Sequence, residues 1–195
     1  MTKLLLGTFN RNKVSELREA FAGFAEVISC ADLGGITEVP ETGDSLEANA
    51  ILKADGYAAQ TSLPCLADDS GLEVASLGGA PGVHSAYYGG EHGNAPKNIE
   101  RLLRELDGVT RREARFRTVL ALAIPHRPTL LFQGELLGTI LLAPQGTGGF
   151  GYDPVFLPLG STKTLAELSL TEKNALSHRG RAMAALLTHL STRPA

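Results

Sequence analysis

Three features of the sequence predict an α/β fold built on a mixed sheet. A short apolar run leads through a turn into a helix start at the beginning of the chain. A second strand and helix follow, then another strand that meets the acidic run Ala67-Asp68-Asp69-Ser70-Gly71. The later half is strand-rich, with two long apolar stretches separated by a proline-bounded turn. Such alternation favours a sheet whose ligand site lies beyond the strand ends.

In chain order, Lys3 to Leu6 reads as a short buried strand, and Gly7-Thr8-Phe9-Asn10 turns into a helix whose Val14, Leu17 and Phe21 have helical spacing. Val27 and Ile28 suggest the second strand. The next helix is expected to open at Asp44, with Glu47 three residues later in a capping-box-like pairing, and to continue through Ala50, Ile51 and Ala54. Leu63 to Ala67 gives a strand that should end at the acidic run. Gly78-Gly79-Ala80-Pro81-Gly82 must be a loop, and Ile99, Leu102, Leu103 and Leu106 mark a helix ended by Gly108. Phe116 to Ile124 and Leu130 to Leu142 flank the turn Pro125-His126-Arg127-Pro128, compatible with an antiparallel pair. Val155 to Leu157 adds a short strand, and a helix from about Ser177 to Leu190 closes the chain, with Pro194 beyond it.

At 195 residues, with no repeat, low-complexity tract or long linker, one domain spanning 1–195 is expected. A formal charge of -3 gives no overall pull towards nucleic acid or an anionic membrane, so phosphate binding would need a local cluster. Cys30 and Cys65 lack any CxxC spacing and read as buried free thiols. The apolar run after Met1 is too short for a signal sequence, and no stretch approaches the ~20 apolar residues of a membrane span. A cytoplasmic location is expected.

Asp68 and Asp69 are adjacent carboxylates, which repel unless a cation or proton lies between them. Magnesium would suit, with a third acid such as Glu41, because the ion takes one or two carboxylates plus substrate phosphates. The dipeptide by itself reads more readily as a solvated turn before glycine. Thr8-Phe9-Asn10-Arg11-Asn12-Lys13 offers hydroxyl, amide and ammonium donors at a helix start, where free N–H groups favour an anion; helix capping by Asn10 explains the same residues equally well. It lacks the glycine pattern of a Walker A loop.

Gly146-Thr147-Gly148-Gly149-Phe150-Gly151 matches G-x-G-x-x-G, but it lies late in the chain and runs into Tyr152-Asp153-Pro154 instead of opening a helix in an early βαβ unit. A loop presenting Phe150 for stacking beside Asp153, or a plain glycine-rich turn, fits better. Lys173, Ser177, His178, Arg179 and Arg181 gather donors near the last helix start, suited to base oxygens or phosphates and equally to a surface helix end. His178 could titrate as a base, although a histidine beside arginines is more often exposed or hydrogen-bonded. The other histidines have no metal-ligand spacing, and Ser70 and Ser177 lack a nucleophile-elbow context.

Taken together, these segments resemble the inosine triphosphate pyrophosphatase family, which hydrolyses ITP, dITP and XTP. The blocks are Thr8-x-Asn10-x-x-Lys13, Glu41-Thr-Gly43-x-Ser45 with Glu47-x-Asn49-Ala50, Ala67 to Gly71, Gly79-Ala-Pro-Gly82 with Ser85-Ala86, Gly146 to Pro154, and Ser177-His-Arg-Gly180. They follow the family's order over nearly the whole chain. The resemblance implies an elongated mixed α/β sheet with flanking helices, two lobes around a central cleft, and a homodimer. It implies a Mg²⁺-dependent pyrophosphatase in which Asp69 activates water and helps hold the metal with Glu41, and Asp68 is a further ligand or supporting acid.

By the same resemblance, Thr8, Asn10 and Lys13 would hold the triphosphate and Ser70 would add a substrate contact. Phe150, Tyr152, Asp153, Lys173, His178 and Arg179 would surround base and sugar. The substrate would be a purine nucleoside triphosphate, with no nucleic-acid or membrane partner. Phe9 stands where many relatives carry glycine, and Leu46 where an aromatic is common; Phe9 is expected to narrow the approach to the phosphate loop. Two alternatives stand beside this: a pyrophosphatase of the related septum-formation fold acting on pyrimidine or modified nucleotides, against which the Ser177-His178-Arg179 block argues, and a nucleotide sensor that binds without cleaving.

Overall fold

A computed structural model describes residues 3–192; Met1 and Pro194 lie outside them. The strands are β1 (Lys3–Leu6), β2 (Glu26–Ser29), β3 (Cys65–Val74), β4 (Pro81–Gly82), β5 (Glu113–Ala123), β6 (Leu130–Ile140) and β7 (Phe156–Pro158). The helices are α1 (Arg11–Ala20), α2 (Leu46–Thr61), α3 (Ala95–Glu105), α4 (Leu170–Leu176) and α5 (His178–Thr192). One sheet runs in the order β2-β1-β3-β5-β6-β7, with β4 on β3. β1 is parallel to both β2 and β3, whereas β4 on β3 and β7 on β6 are antiparallel, so the sheet is mixed as expected.

Three expectations change. α2 is capped by Ser45, whose hydroxyl accepts from Ala48 N at 3.1 Å, so the helix opens one residue later than an Asp44 cap would place it. β3 does not stop at the acidic run but continues through it to Val74. The polar residues that looked like a turn belong to a strand buried on both faces, where alternation of side chains decides what each one meets. Within the glycine loop, Pro81 and Gly82 also pair with β3, at Glu73 and Leu72. α4, which the sequence pattern did not suggest, is set by a capping box between Ser169 and Glu172.

The chain divides into two compact units, neither continuous in sequence. The first comprises 1–69, 118–134 and 179–195; the second comprises 70–117 and 135–178. Every boundary falls inside a strand or at the first turn of α5, which is why no linker marks it. The core of the first unit packs Leu4, Leu6, Val14, Leu17, Phe21 and Leu66 with Leu120, Leu122, Met183 and Leu186. That of the second joins Leu72, Val74, Ile99, Leu102 and Leu106 to Phe116, Ile140, Val155 and Phe156. No helix among the described residues is long and apolar enough to cross a membrane.

Candidate active site

In the first unit, β1 delivers the chain to Gly7, where a side chain would strike Tyr57, Cys65 and Ala67 within 3.0 Å; glycine lets the turn sit flush on the sheet. Thr8 Oγ1 accepts from Asn10 N at 3.1 Å, and Asn10 Oδ1 accepts from Asn12 N and Lys13 N at 3.0 and 3.2 Å, capping α1. Capping is therefore part of what this segment does. The periodicity of α1 then puts Lys13 and Glu16 on neighbouring positions beside the buried Val14 and Leu17.

Asp68 and Asp69 do not share a site. Consecutive strand residues point to opposite faces, and each carboxylate meets its own cations. Asp68 Oδ2 lies 3.1 Å from Lys13 Nζ and 3.2 Å from both Nε and Nη2 of Arg179, whose Nη1 binds the Glu16 carboxylate. Asp69 Oδ1 accepts from Lys53 Nζ at 3.2 Å, and the same ammonium donates to Glu41 Oε1 at 2.5 Å and to the Asp68 carbonyl at 2.7 Å. Asp69 Oδ2 is buried and makes no hydrogen bond.

The electrostatics differ accordingly. Burial works against the Asp68 carboxylate, but Lys13 and Arg179 outweigh it and hold the group well below the usual carboxylate range. Burial dominates at Asp69 and raises its pKa, with Lys53 and Lys13 offsetting only part of the effect. For Lys53, burial is outweighed by Asp69 and Glu41, which keep the ammonium protonated. Burial lowers the Lys13 pKa despite Asp68 beside it. The expected shell of three carboxylates is not gathered: among the described residues no three His, Cys, Asp or Glu side chains are grouped to hold a metal, because Asp68 is turned to Lys13 and Arg179.

The second unit holds a different cluster. Asp153 Oδ2 accepts from Phe150 N at 2.8 Å and from Lys173 Nζ at 2.7 Å, and the ammonium lies 4.3 Å from the centre of the Phe150 ring. Gly149 is required there, since it has φ +68° and a Cβ would fall 2.2 Å from the Asp153 carboxylate. Only a single 3-10 turn, Asp153–Val155, separates the glycines from β7, so the dinucleotide-type motif match has no structural counterpart. His178 is buried, its ring stacked on Phe116 at 4.7 Å with 10° between planes. Tyr152 is buried in the core and donates its hydroxyl to the Ser85 carbonyl at 3.0 Å. Ser70, half-buried on β3, begins this unit.

The structure thus gathers Lys13, Asp68 and Arg179 in one cluster and Glu41 with Asp69 in another. Phe150, Asp153 and Lys173 form a third. Arg179, expected near the base, belongs instead with Asp68 and Glu16. Sequence reasoning missed Lys53 and Glu16. Lys53 was findable: Leu46, Ala50, Lys53 and Tyr57 trace one helical face of α2, and a lysine in such a stripe must have buried partners.

Buried carboxylates matched to lysines and an arginine beside a capped helix start define a mixed α/β protein with an ionic cluster on β3, α1, α2 and the start of α5. The Ham1 family model matches residues 4–189, and the chain belongs to the Ham1 family. It is 46% identical to a dITP/XTP pyrophosphatase of Porphyromonas gingivalis over 95% of this chain and 96% of that one. A dITP/XTP pyrophosphatase of Geobacillus kaustophilus is 48% identical, over 95% and 93%. The solved structure of a HAM1 protein from Coxiella burnetii superposes with a TM-score of 0.90 at 37% identity, covering 99% of this chain and 100% of that one. These likenesses bear out the family resemblance and the mixed α/β fold.

Proposed function

We propose that this chain hydrolyses non-standard purine nucleoside triphosphates, ITP, dITP and XTP, to the monophosphate and pyrophosphate, removing them before they enter DNA or RNA. The observation that carries the reading is the buried Asp69 carboxylate, with one oxygen on Lys53 and the other without a hydrogen bond, in a chain 46% identical to a dITP/XTP pyrophosphatase. A buried carboxylate of raised pKa with an idle oxygen is suited to accept a proton.

Hydrolysis at the α-phosphorus needs an in-line water, stabilised phosphoryl oxygens and a neutralised leaving group. Asp69 Oδ2 takes the proton from the water. Lys13, with Thr8 and Asn10, offsets charge on the pyrophosphate side, and Ser70 adds a contact. Arg179 fixes Asp68, and Asp68 in turn holds the Lys13 ammonium. Lys53 keeps Glu41 and Asp69 on one nitrogen.

The residues fit a hard divalent cation: Asp69 has an orphaned buried oxygen and Glu41 is partly exposed, an incomplete oxygen shell that phosphates would finish. Glu41 and Asp69 would hold Mg²⁺, with Asp68 supporting, and the ion when bound supplies Lewis-acid polarisation of phosphate oxygens. The base would lie on Phe150, with Lys173 or His178 donating to its 6-oxo group; adenine would set an amino donor against a donor. Tyr152 shapes this region through Ser85, and Asp153 orients Lys173. The reading carries with it a cytoplasmic homodimer.

Pyrophosphate release with Mg²⁺ is measured from ITP, XTP, dITP, GTP, ATP and dTTP. Release from the first three above the rest is expected; preference for dTTP would favour the pyrimidine alternative, and no release from any would favour a sensor.

A further inference from the structure

We propose that Phe9 is a positioning residue for the phosphate-binding turn, holding Thr8 and Asn10 in their anion-ready geometry by seating its ring on Tyr57. The inference rests on the triphosphate reading above. Phe9 lies between the two residues assigned to the phosphates, and with 38% of its surface exposed it belongs to neither hydrophobic core. The ring meets Tyr57 edge-on, with centroids 6.2 Å apart and planes at 71°, an arrangement favoured by the charge distribution of aromatic rings.

Tyr57 is a firm platform. It is 2% exposed, stands on the buried face of α2 one turn after Lys53, and its hydroxyl accepts from Val39 N at 3.2 Å. Its Cδ2 lies 2.8 Å from where a Gly7 side chain would begin, so Tyr57 abuts the turn at Gly7 and again at Phe9. Among the described non-glycine residues, positive φ occurs at Ser62 and His126 and not at Phe9, so no left-handed strain opposes a side chain at this position. A glycine here would give the turn backbone freedom that must be lost when an anion binds; a ring clamped to α2 removes that freedom beforehand.

Preorganisation of this kind affects ground and transition states alike, so it should appear in KM and leave kcat nearly unchanged. Replacing Phe9 by glycine is expected to raise KM for ITP about three- to ten-fold, with kcat within about two-fold. The inhibition constant of inorganic tripolyphosphate, a probe for the phosphate end alone, should rise by the same factor, and that of inosine should not move. Phe9→Tyr should restore both. Because Phe9 lies outside both cores, the variant should melt close to the parent; Phe9→Leu, which keeps bulk without an aromatic edge, should lie between. An unchanged tripolyphosphate constant in Phe9→Gly, or an equal loss for inosine, overturns the proposal. If the parent hydrolyses no triphosphate, the functional reading fails by itself, and tripolyphosphate binding still decides the role of Phe9.

Discussion

In the first unit, Glu16, Glu41, Asp68 and Asp69 face Lys13, Lys53 and Arg179, four carboxylates against three cations. In the second, Asp153 is set against Lys173, one charge to one, with the Phe150 ring over the ammonium. The fourth carboxylate, Glu41, is exposed, so the surplus negative charge lies where a further cation can reach it, whereas a buried matched pair can stay closed and serve as a rigid wall. On the proposed reading, the first region carries the chemistry and the second recognises a flat ring. The electrostatics also distinguish two carboxylates one residue apart: Asp68 is held ionised by Lys13 and Arg179, while burial dominates at Asp69 and raises its pKa.

The largest expected effect breaks the first region. Asp69→Asn keeps the size of the side chain and its contact to Lys53 but removes the proton acceptor, so kcat should fall about 10³-fold while nucleotide affinity stays within about three-fold. The pH profile gives the sign. A base must be ionised to act, so kcat of the parent should decline on the acid side; burial lifts Asp69 above its ordinary value of 3.8 in the metal-free protein, and a cation held by it would move the limb down from there. The residual rate of the asparagine variant should lack that limb. Near-parental turnover in pyrophosphate release, or a limb that survives the substitution, removes Asp69 from the role.

How much of this was legible from sequence follows the same division. β1, α1, β2 and α3 were readable because their apolar spacing is local, and the mixed sheet followed from the strand-rich later half. The acidic run was misplaced at a strand end, because charged residues inside a strand look like a turn until the cations that neutralise them are known. Those cations come from α1, α2 and the start of α5, far away in sequence. The same distance hid Glu16, whose partner Arg179 is 163 residues on. The motifs named most of the clustered residues, but not which cluster each would join: Arg179 and His178 are neighbours in the chain and fall in different units.

A moderate effect should isolate the second region. Lys173→Ala removes a charge-assisted donor from Asp153 and from the Phe150 face, and is expected to raise KM for ITP about thirty-fold with a small change in kcat. Tripolyphosphate inhibition should be unaffected, since its proposed contacts lie in the first unit. Because the substitution strands a buried carboxylate, the double variant Asp153→Asn with Lys173→Met serves as the control for folding: it should regain thermal stability without regaining the low KM. A parallel loss of tripolyphosphate affinity in Lys173→Ala would mean that Lys173 acts on the phosphate end and not on the base.

The smallest effect uses the two thiols, both in the first unit beneath the anion turn. Burial pushes the Cys30 thiol up to about 11 and raises Cys65 as well, and the backbone N–H groups of Thr8 and Gly7 lie against them. At mildly alkaline pH neither should react with a thiol reagent until the unit opens, because the thiolate is the nucleophile. Labelling therefore times the opening of this region. Pyrophosphate at ten times its Kd should slow labelling about ten-fold, since a ligand stabilises the closed state by RT ln(1 + [L]/Kd). Inosine at the same multiple of its own Kd should leave the rate unchanged if the second unit binds the base and opens independently. Equal protection by both ligands would show instead that the two units open together, and that their difference lies in chemistry and not in stability.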